Sequence, residues 1–331
     1  MTAALHLLLA RAPEQQPIFW VTPEQVAEAR ARATVPLPPM EATVCPIDDP
    51  SFAAMMDKSF GMVGFRFPRE TVGASKGALS LLQLTSAGVE HLLPFDWLPP
   101  HVALANASGV HAPKVEEWAT MVFLILHTHM PHFATAQRRH QWSKAYSSTI
   151  EGRHAAIFGT GAIGAAIARG GKRLGLKVTG ISRSAQPVDG FDSVITPAAA
   201  GATLAQADFV VLATPLTPQT KGMMDAAMFA RLRKGAGFAN FGRGGLVVQE
   251  ALIEALASGH LDGAVLDVTT PEPLPPDSPL WDAPNLLISP HVSCDDPVTY
   301  IPRTLDIFMD NIHRRLSGLP LRNLVDPTRS Y

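Results

Sequence analysis

A chain of 331 residues is long enough for two domains that each bury a core. Apolar side chains make up 47% of it and charged ones 17%, a composition of buried sheets that excludes disorder as the main content. The net charge of −2 offers no basic excess to neutralise a phosphate backbone, which excludes nucleic acid as a partner while leaving room for local positive charge around a small anion.

The opening run Ala3–Ala10 is apolar but follows no Lys or Arg, so it predicts a first buried strand rather than a signal peptide. Thr22–Ala33 predicts a helix with Thr22 as N-cap, Pro23 in the first turn and Glu24 adding negative charge there. Pro36, Pro38 and Pro39 stop it. Short apolar runs at Met62–Phe65 and Leu79–Leu84 follow, the second leading into the loop Thr85–Val89, in the manner of an α/β domain. Pro113–His129 predicts a long helix with apolar residues on most faces (Val115, Trp118, Met121, Val122, Leu124, Ile125), placed in a subunit contact.

From about residue 150 the pattern is regular. Strand-like runs recur at His154–Phe158, Lys177–Ile181, Asp208–Ala213, Gly237–Ala239, Gly263–Val268 and Asn285–Ser289, with helices at Ala162–Leu174, Ala226–Leu232 and Val247–Ala257. Continuous apolar strands alternating with helices describe a parallel sheet covered on both faces. A last helix, about Ile301–Leu316, ends at Gly318.

No apolar run reaches the roughly 18 residues that cross a bilayer. Cys45 and Cys294 have no metal-ligand or CxxC spacing, so a reduced, cytoplasmic location without a membrane partner is expected. His127, His129 and His132, with His111 and His140 nearby, do not put three ligands on one helix face, and Pro131 interrupts the segment. No metal is expected.

The run His154–Phe158 leads into Gly159-Thr160-Gly161-Ala162-Ile163-Gly164, a GxGxxG turn between a strand and a helix. Gly159 permits the tight turn, Gly161 lets backbone approach a pyrophosphate, and Gly164 allows close helix–strand contact. The helix start at Ala162 and Ile163 then supplies N–H groups and the positive dipole end. After the next strand, where an acidic residue would accept from the ribose hydroxyl of NAD, stand Ser182, Arg183 and Ser184. Arg183 between two hydroxyls suits the 2′-phosphate of NADP, so NADP(H) is favoured and NAD(H) stays open.

Three further segments each follow a strand: Asn240-Phe241-Gly242-Arg243-Gly244, Leu266–Pro273 with Glu272, and Ser289-Pro290-His291-Val292-Ser293. Ligands bind beyond the carboxyl ends of an open parallel sheet, so an Arg, a Glu and a His there can converge. Reduction of a 2-keto acid needs these types. A guanidinium holds the carboxylate and polarises the carbonyl, a protonated imidazole gives its proton to the developing alkoxide, and a carboxylate fixes and charges that imidazole. Cys294 has no part in hydride transfer and reads as a pocket-edge residue.

From about Gly77 onward, and most strongly over 154–293, the chain resembles the D-isomer-specific 2-hydroxyacid dehydrogenase family. The carriers are GTGAIG, Ala213–Thr220 (ATPLTPQT), NFGRGG with Glu250-Ala251-Leu252, LDVTTPEPLP with Pro279-Leu280-Trp281, SPHVS and the ending Gly318–Asp326. The resemblance implies the three roles above for Arg243, Glu272 and His291. It also implies that Asp267 holds the nicotinamide carboxamide and that Thr214, Pro215, Thr220, Phe241, Gly242 and Ser293 line the cofactor cleft. Backbone of Ala87, Gly88 and Val89 would grip the substrate carboxylate beside Arg243. The implied fold is α/β, two Rossmann-like domains with doubly wound parallel sheets and the active site in the cleft between them. The division is 1–107 plus 295–331 for substrate and 108–294 for the dinucleotide. A homodimer is implied as well. Ser182-Arg183-Ser184 is similar to the NADPH-using glyoxylate/hydroxypyruvate reductase branch, which reduces a small 2-keto acid to the D-2-hydroxy acid. Two other readings stay open: a nucleotide-sensing co-regulator on the same fold, and a formate- or phosphite-type dehydrogenase.

Overall fold

Every ladder between named strands runs parallel, so each strand must be reached by a crossover that lays chain across a sheet face. The computed structural model describes residues 4–13 and 16–327, and the chain divides into two units, Met1–Val110 with Asp296–Tyr331, and His111–Asp295.

The first unit holds β1 (Leu5–Arg11), β2 (Met40–Pro46), β3 (Gly61–Gly64), β4 (Leu81–Leu84) and β5 (Ala103–Ala105), in the order β2-β1-β3-β4-β5. The period-2 alternation of strand side chains divides its core in two. Leu7 and Leu9 pack with Val26 and Ala29 of α1 (Pro23–Arg32) and with Leu305 and Phe308 of a last helix, Tyr300–Leu316. Leu8 and Ala10 pack on the other face with Phe52 and Met56 of α2 (Phe52–Lys58) and Val72 of α3 (Arg69–Gly73). Thr22 caps α1 as its sequence indicates, but the reciprocal partner is Gln25, whose side chain accepts from the Thr22 N–H at 2.9 Å. The sequence shows no strand at β2 or β5. The first is an edge strand with one fully buried residue, and the second has three residues, too short for a period.

The second unit holds β6 (His154–Phe158), β7 (Lys177–Ile181), β8 (Ser193–Ile195), β9 (Phe209–Leu212), β10 (Ala236–Asn240), β11 (Leu261–Leu266) and β12 (Leu286–Ile288), in the order β12-β11-β10-β9-β6-β7-β8. The chain winds outward from β6 through β7 and β8, then restarts at β9 on the other side of β6. The β6/β9 boundary is therefore the topological switch point where such sheets bind ligands. One face is covered by α4 (Ala112–His127), α5 (Met130–Arg138) and α6 (Ala162–Arg173). The core of the other face is shared with α7 (Gly201–Leu204), α8 (Ala226–Ala230) and α9 (Gln249–Ala257). Six of the seven strands stand where their apolar runs lie; β8, half-buried and at the sheet edge, was not expected.

The helix expected over Pro113–His129 is α4, and one expectation beside it is corrected: Pro131 does not merely break the segment but opens a second helix, α5, because the first turn of a helix needs no N–H from that position. His129, with φ of 58°, makes the corner. On α4, Val115, Ala119, Val122, Phe123 and Leu126 form a buried stripe, while Met121 and Leu124 stay exposed. Among the described residues no helix is long and apolar enough to cross a membrane, and no group of His, Cys, Asp and Glu is placed to hold a metal.

Candidate active site

The turn after β6 is shaped by close backbone approach. Gly159 has φ of 96°, and a Cβ there would come within 2.5 Å of the Ala213 carbonyl oxygen. A Cβ on Gly164 would strike the Gly159 carbonyl, so α6 lies directly on the strand end. Gly161 faces open space, caps α6 without a side chain, and no acidic residue enters the first turn. A pyrophosphate fits these features: the backbone is bare where its oxygens would come, and Ala162 and Ile163 begin the helix whose positive end would face them. Beyond β7, Ser182 is tied to the β8 end by its N–H to Ile195, its hydroxyl lies 3.3 Å from that of Ser184, and Arg183 between them is exposed.

The loops after β10, β11 and β12 meet at the same edge. Asn240 is 1% exposed. Its Oδ1 accepts from the Gly242 N–H and its Nδ2 donates to the Arg243 carbonyl, each at 3.0 Å, which closes the turn that presents Arg243. Gly244 presses against the Thr269 carbonyl, and the Gln249 side chain donates to the Thr270 carbonyl, so the Arg243 loop and the Glu272 loop are in contact.

Glu272 divides its carboxylate between two tasks. Oε1 accepts from the Thr269 N–H at 3.0 Å, and Oε2 faces Nδ1 of His291 at 2.9 Å. A carboxylate accepts only, so the imidazole carries its hydrogen on Nδ1 and Nε2 is left for proton transfer. The His291 side chain is 46% exposed, open to a ligand. Its backbone has φ of 54°, a left-handed conformation that costs energy in a residue with a side chain. Hydrogen bonds from its N–H to the carbonyls of Asp267 (2.8 Å) and Ser289 (3.0 Å) impose it.

Asp267 is 3% exposed, and its carboxylate gathers the whole His291 loop. It accepts from the Ser289 hydroxyl at 2.7 Å, from the N–H groups of Val292 at 3.0 Å and Ser293 at 3.2 Å, and from the Ser293 hydroxyl. Its carboxylate therefore acts inside the protein as a strut. Ser293, read from the sequence as a cofactor residue, is fully buried with its hydroxyl on that strut.

The remaining expected residues are placed as follows. Thr214 is half-buried and Pro215 exposed after β9, while the Thr220 hydroxyl donates to the Pro215 carbonyl at 2.8 Å and so folds that loop on itself. Phe241 and Gly242 are buried at the foot of the Arg243 turn. Ala87, Gly88 and Val89 lie in the first unit after β4, where Asn106 donates to the Ala87 carbonyl and the Ser86 hydroxyl to that of Gly88.

Asn240, Ser289 and His111 were not singled out from sequence for the site. A buried Asn at the end of the apolar run of β10 was a usable signal; the other two show none. His111 is close enough to His291 and Arg243 for both charges to act on it, and burial is the largest cause lowering its pKa. Burial likewise raises Asp295 and pushes the Cys294 thiol up to about 11, so that thiol stays protonated and carries no nucleophilic chemistry at neutral pH.

Residues 120–293 match the model of the D-isomer specific 2-hydroxyacid dehydrogenase NAD-binding domain. A glyoxylate reductase/hydroxypyruvate reductase of Mus musculus is 33% identical over 239 residues, 69% of this chain and 71% of that protein. Among solved structures, a D-isomer specific 2-hydroxyacid dehydrogenase from Xanthobacter autotrophicus Py2, in complex with NADPH and MES, is similar with TM-score 0.81 and 29% identity, covering 99% of this chain and 100% of that one. An NADPH-dependent glyoxylate/hydroxypyruvate reductase from Sinorhizobium meliloti, in complex with NADP and sulfate, gives TM-score 0.78 and 29% identity, with 99% and 100% covered.

Replacing Asp267 by Asn sets an amide N–H2 among groups that all donate. The Asp267→Asn protein should lose about 2–3 kcal/mol in urea unfolding; wild-type stability would show that the carboxylate is not the strut of this loop.

Proposed function

The chain belongs to the D-isomer specific 2-hydroxyacid dehydrogenase family, and from that premise we propose that it reduces a small 2-keto acid of the glyoxylate or hydroxypyruvate kind to the D-2-hydroxy acid, using NADPH. The observation that carries this reading is the 2.9 Å His291–Glu272 pair, open to solvent beside the Arg243 loop on a sheet edge built for a dinucleotide.

A bound nicotinamide supplies the hydride that adds to C2. The protein's own groups do the rest. Arg243, half-buried, pairs its guanidinium with the substrate carboxylate and draws charge from the adjacent carbonyl. His291 delivers the proton from Nε2 to the oxygen that becomes the hydroxyl, so one hydride and one proton together convert the carbonyl to an alcohol. Glu272 holds Nδ1–H and keeps the ring aimed, leaving Nε2 to carry the proton that is delivered. A nucleotide-sensing module has no need of this proton-carrying pair. Oxidation of formate creates no alkoxide to protonate. The names of the mouse and Sinorhizobium relatives support the substrate class, and Arg183 between Ser182 and Ser184 supports NADP(H) over NAD(H).

We also propose that the protein works as a homodimer. The flank of α4 exposes Met121 (41%) and Leu124 (40%), and the extended segment 141–150 exposes Trp142 (94%) and Tyr146 (83%). Three histidines fasten that segment: Nε2 of His127 lies 2.8 Å from the Ser148 carbonyl, that of His129 3.3 Å from the Tyr146 carbonyl, and that of His132 2.9 Å from the Ser143 hydroxyl. Aromatic and methionine side chains held out in this way on one unit are what a second copy would cover.

His291→Ala should lower kcat for keto-acid reduction by about 10²–10⁴-fold while NADPH affinity, read by fluorescence titration, is kept; undiminished turnover would remove His291 as the acid. Arg183→Ala should raise KM for NADPH about tenfold or more and leave KM for NADH in place. Equal changes for both cofactors would take away its role at the 2′-phosphate. In sedimentation equilibrium, Leu124→Glu should turn a dimer into a monomer, and a wild type already monomeric at working concentration would end the dimer proposal.

A further inference from the structure

His111 immediately precedes α4, yet its side chain makes no capping bond to that helix. Its Nδ1 lies instead 3.0 Å from the carbonyl oxygen of Cys294, three residues beyond His291 on the same loop. A carbonyl accepts only, so Nδ1 carries the hydrogen and the imidazole is a donor to the loop.

We propose that His111 is a positioning residue for the proton transfer: by holding the Cys294 carbonyl it fixes the downstream end of the His291 loop and with it the aim of the His291 ring. Asp267 grips this loop from β11 at residues 289, 292 and 293. The Asp267 carboxylate and carbonyl hold the loop as far as Ser293, and the His111 bond extends that hold one residue further, to Cys294. His111 supplies the hold from α4, an element on a different part of the chain.

The residue type follows from the surroundings. The charged or titratable groups acting on His111 are Asp295, His291 and Arg243. A Lys or Arg in its place would put a fixed cation beside Arg243 at a position where burial disfavours charge. Burial, the largest influence, favours the neutral ring, as do His291 and Arg243. The Cys294 carbonyl and Asp295 act the other way, and the net shift is downward, so the neutral His111 donates a hydrogen bond without adding charge. The kinetic consequence rests on the reductase reading; the structural one does not.

Two variants test it. His111→Leu removes the donor and keeps the site filled. His111→Asn restores an N–H close to the position of Nδ1, and Asn is well tolerated just before a helix. With saturating NADPH, His111→Leu should lower kcat by about tenfold to a hundredfold, the effect of a small misplacement of a reacting group. NADPH affinity by fluorescence should stay at the wild-type value in both variants, and His111→Asn should recover most of kcat. Full kcat in the Leu variant, or equal loss in Leu and Asn, would overturn the proposal. Histidine-selective NMR reads the same point without turnover: the His291 ring signals should move in the Leu variant and return in the Asn variant, and unmoved signals in Leu would also overturn it. A wild type inert towards every 2-keto acid, with the NMR pattern intact, would sink the reductase reading and leave the positioning role standing.

Discussion

The site depends on a buried carboxylate that has no contact with solvent to speak of. An ionised side chain 3% exposed is tolerable only if its hydrogen-bonding capacity is filled, and Asp267 is filled by donors from the β12 loop. The requirement to satisfy that charge is thus also the device that folds the loop. It draws in two backbone N–H groups and two hydroxyls, and the peptide of Asp267 itself takes the N–H of His291. Local strain at His291, with φ of 54°, persists because these bonds over-determine it. Stability and catalytic geometry are one interaction seen from two sides.

The same economy of donors and acceptors recurs at the neighbouring loops. Glu272 uses one oxygen to brace its own turn and the other to set the His291 tautomer. Asn240 uses both ends of its amide to close the turn under Arg243. Each group that would meet substrate is therefore backed by a polar contact that is itself part of the fold, which is how a site on loops gains the precision of one on rigid elements. The parallel sheet makes this possible. All its carboxyl ends lie on one edge, so residues far apart in the chain, such as Arg243, Glu272 and His291, come to that edge on the loops after β10, β11 and β12.

On that edge the two halves of the chemistry have different sources of charge. The dinucleotide turn relies on backbone: bare glycine and the start of α6. In the proposed reaction the substrate side relies on side chains, Arg243 and His291, whose fields reach His111. The protonated Cys294 thiol adds no charge to the surroundings of His291, and burial disfavours charge on His111.

Local sequence determined much of this. The apolar runs at β6, β7 and β9 to β12 announce strands of a buried sheet, GxGxxG after the first of them announces a phosphate turn, and Arg243, Glu272 and His291, the residue types that the chemistry needs, stand just beyond strand ends. Such signals survive in one dimension because they depend on neighbours a few residues away. Edge strands such as β2 and β8 did not show, since β2 fully buries one of its seven residues and β8 has three residues, none fully buried. Pro131 looked like a break and is a helix start, because a proline stops or opens a helix according to the turn in which it falls. The part played by Asp267, Ser293 and His111 was decided only in three dimensions: their bonds span 22 to 26 residues from β11 to β12, and 183 from His111 to Cys294. Which distant donor meets which buried acceptor is set by strand order and crossover path, and no local pattern of side chains records that.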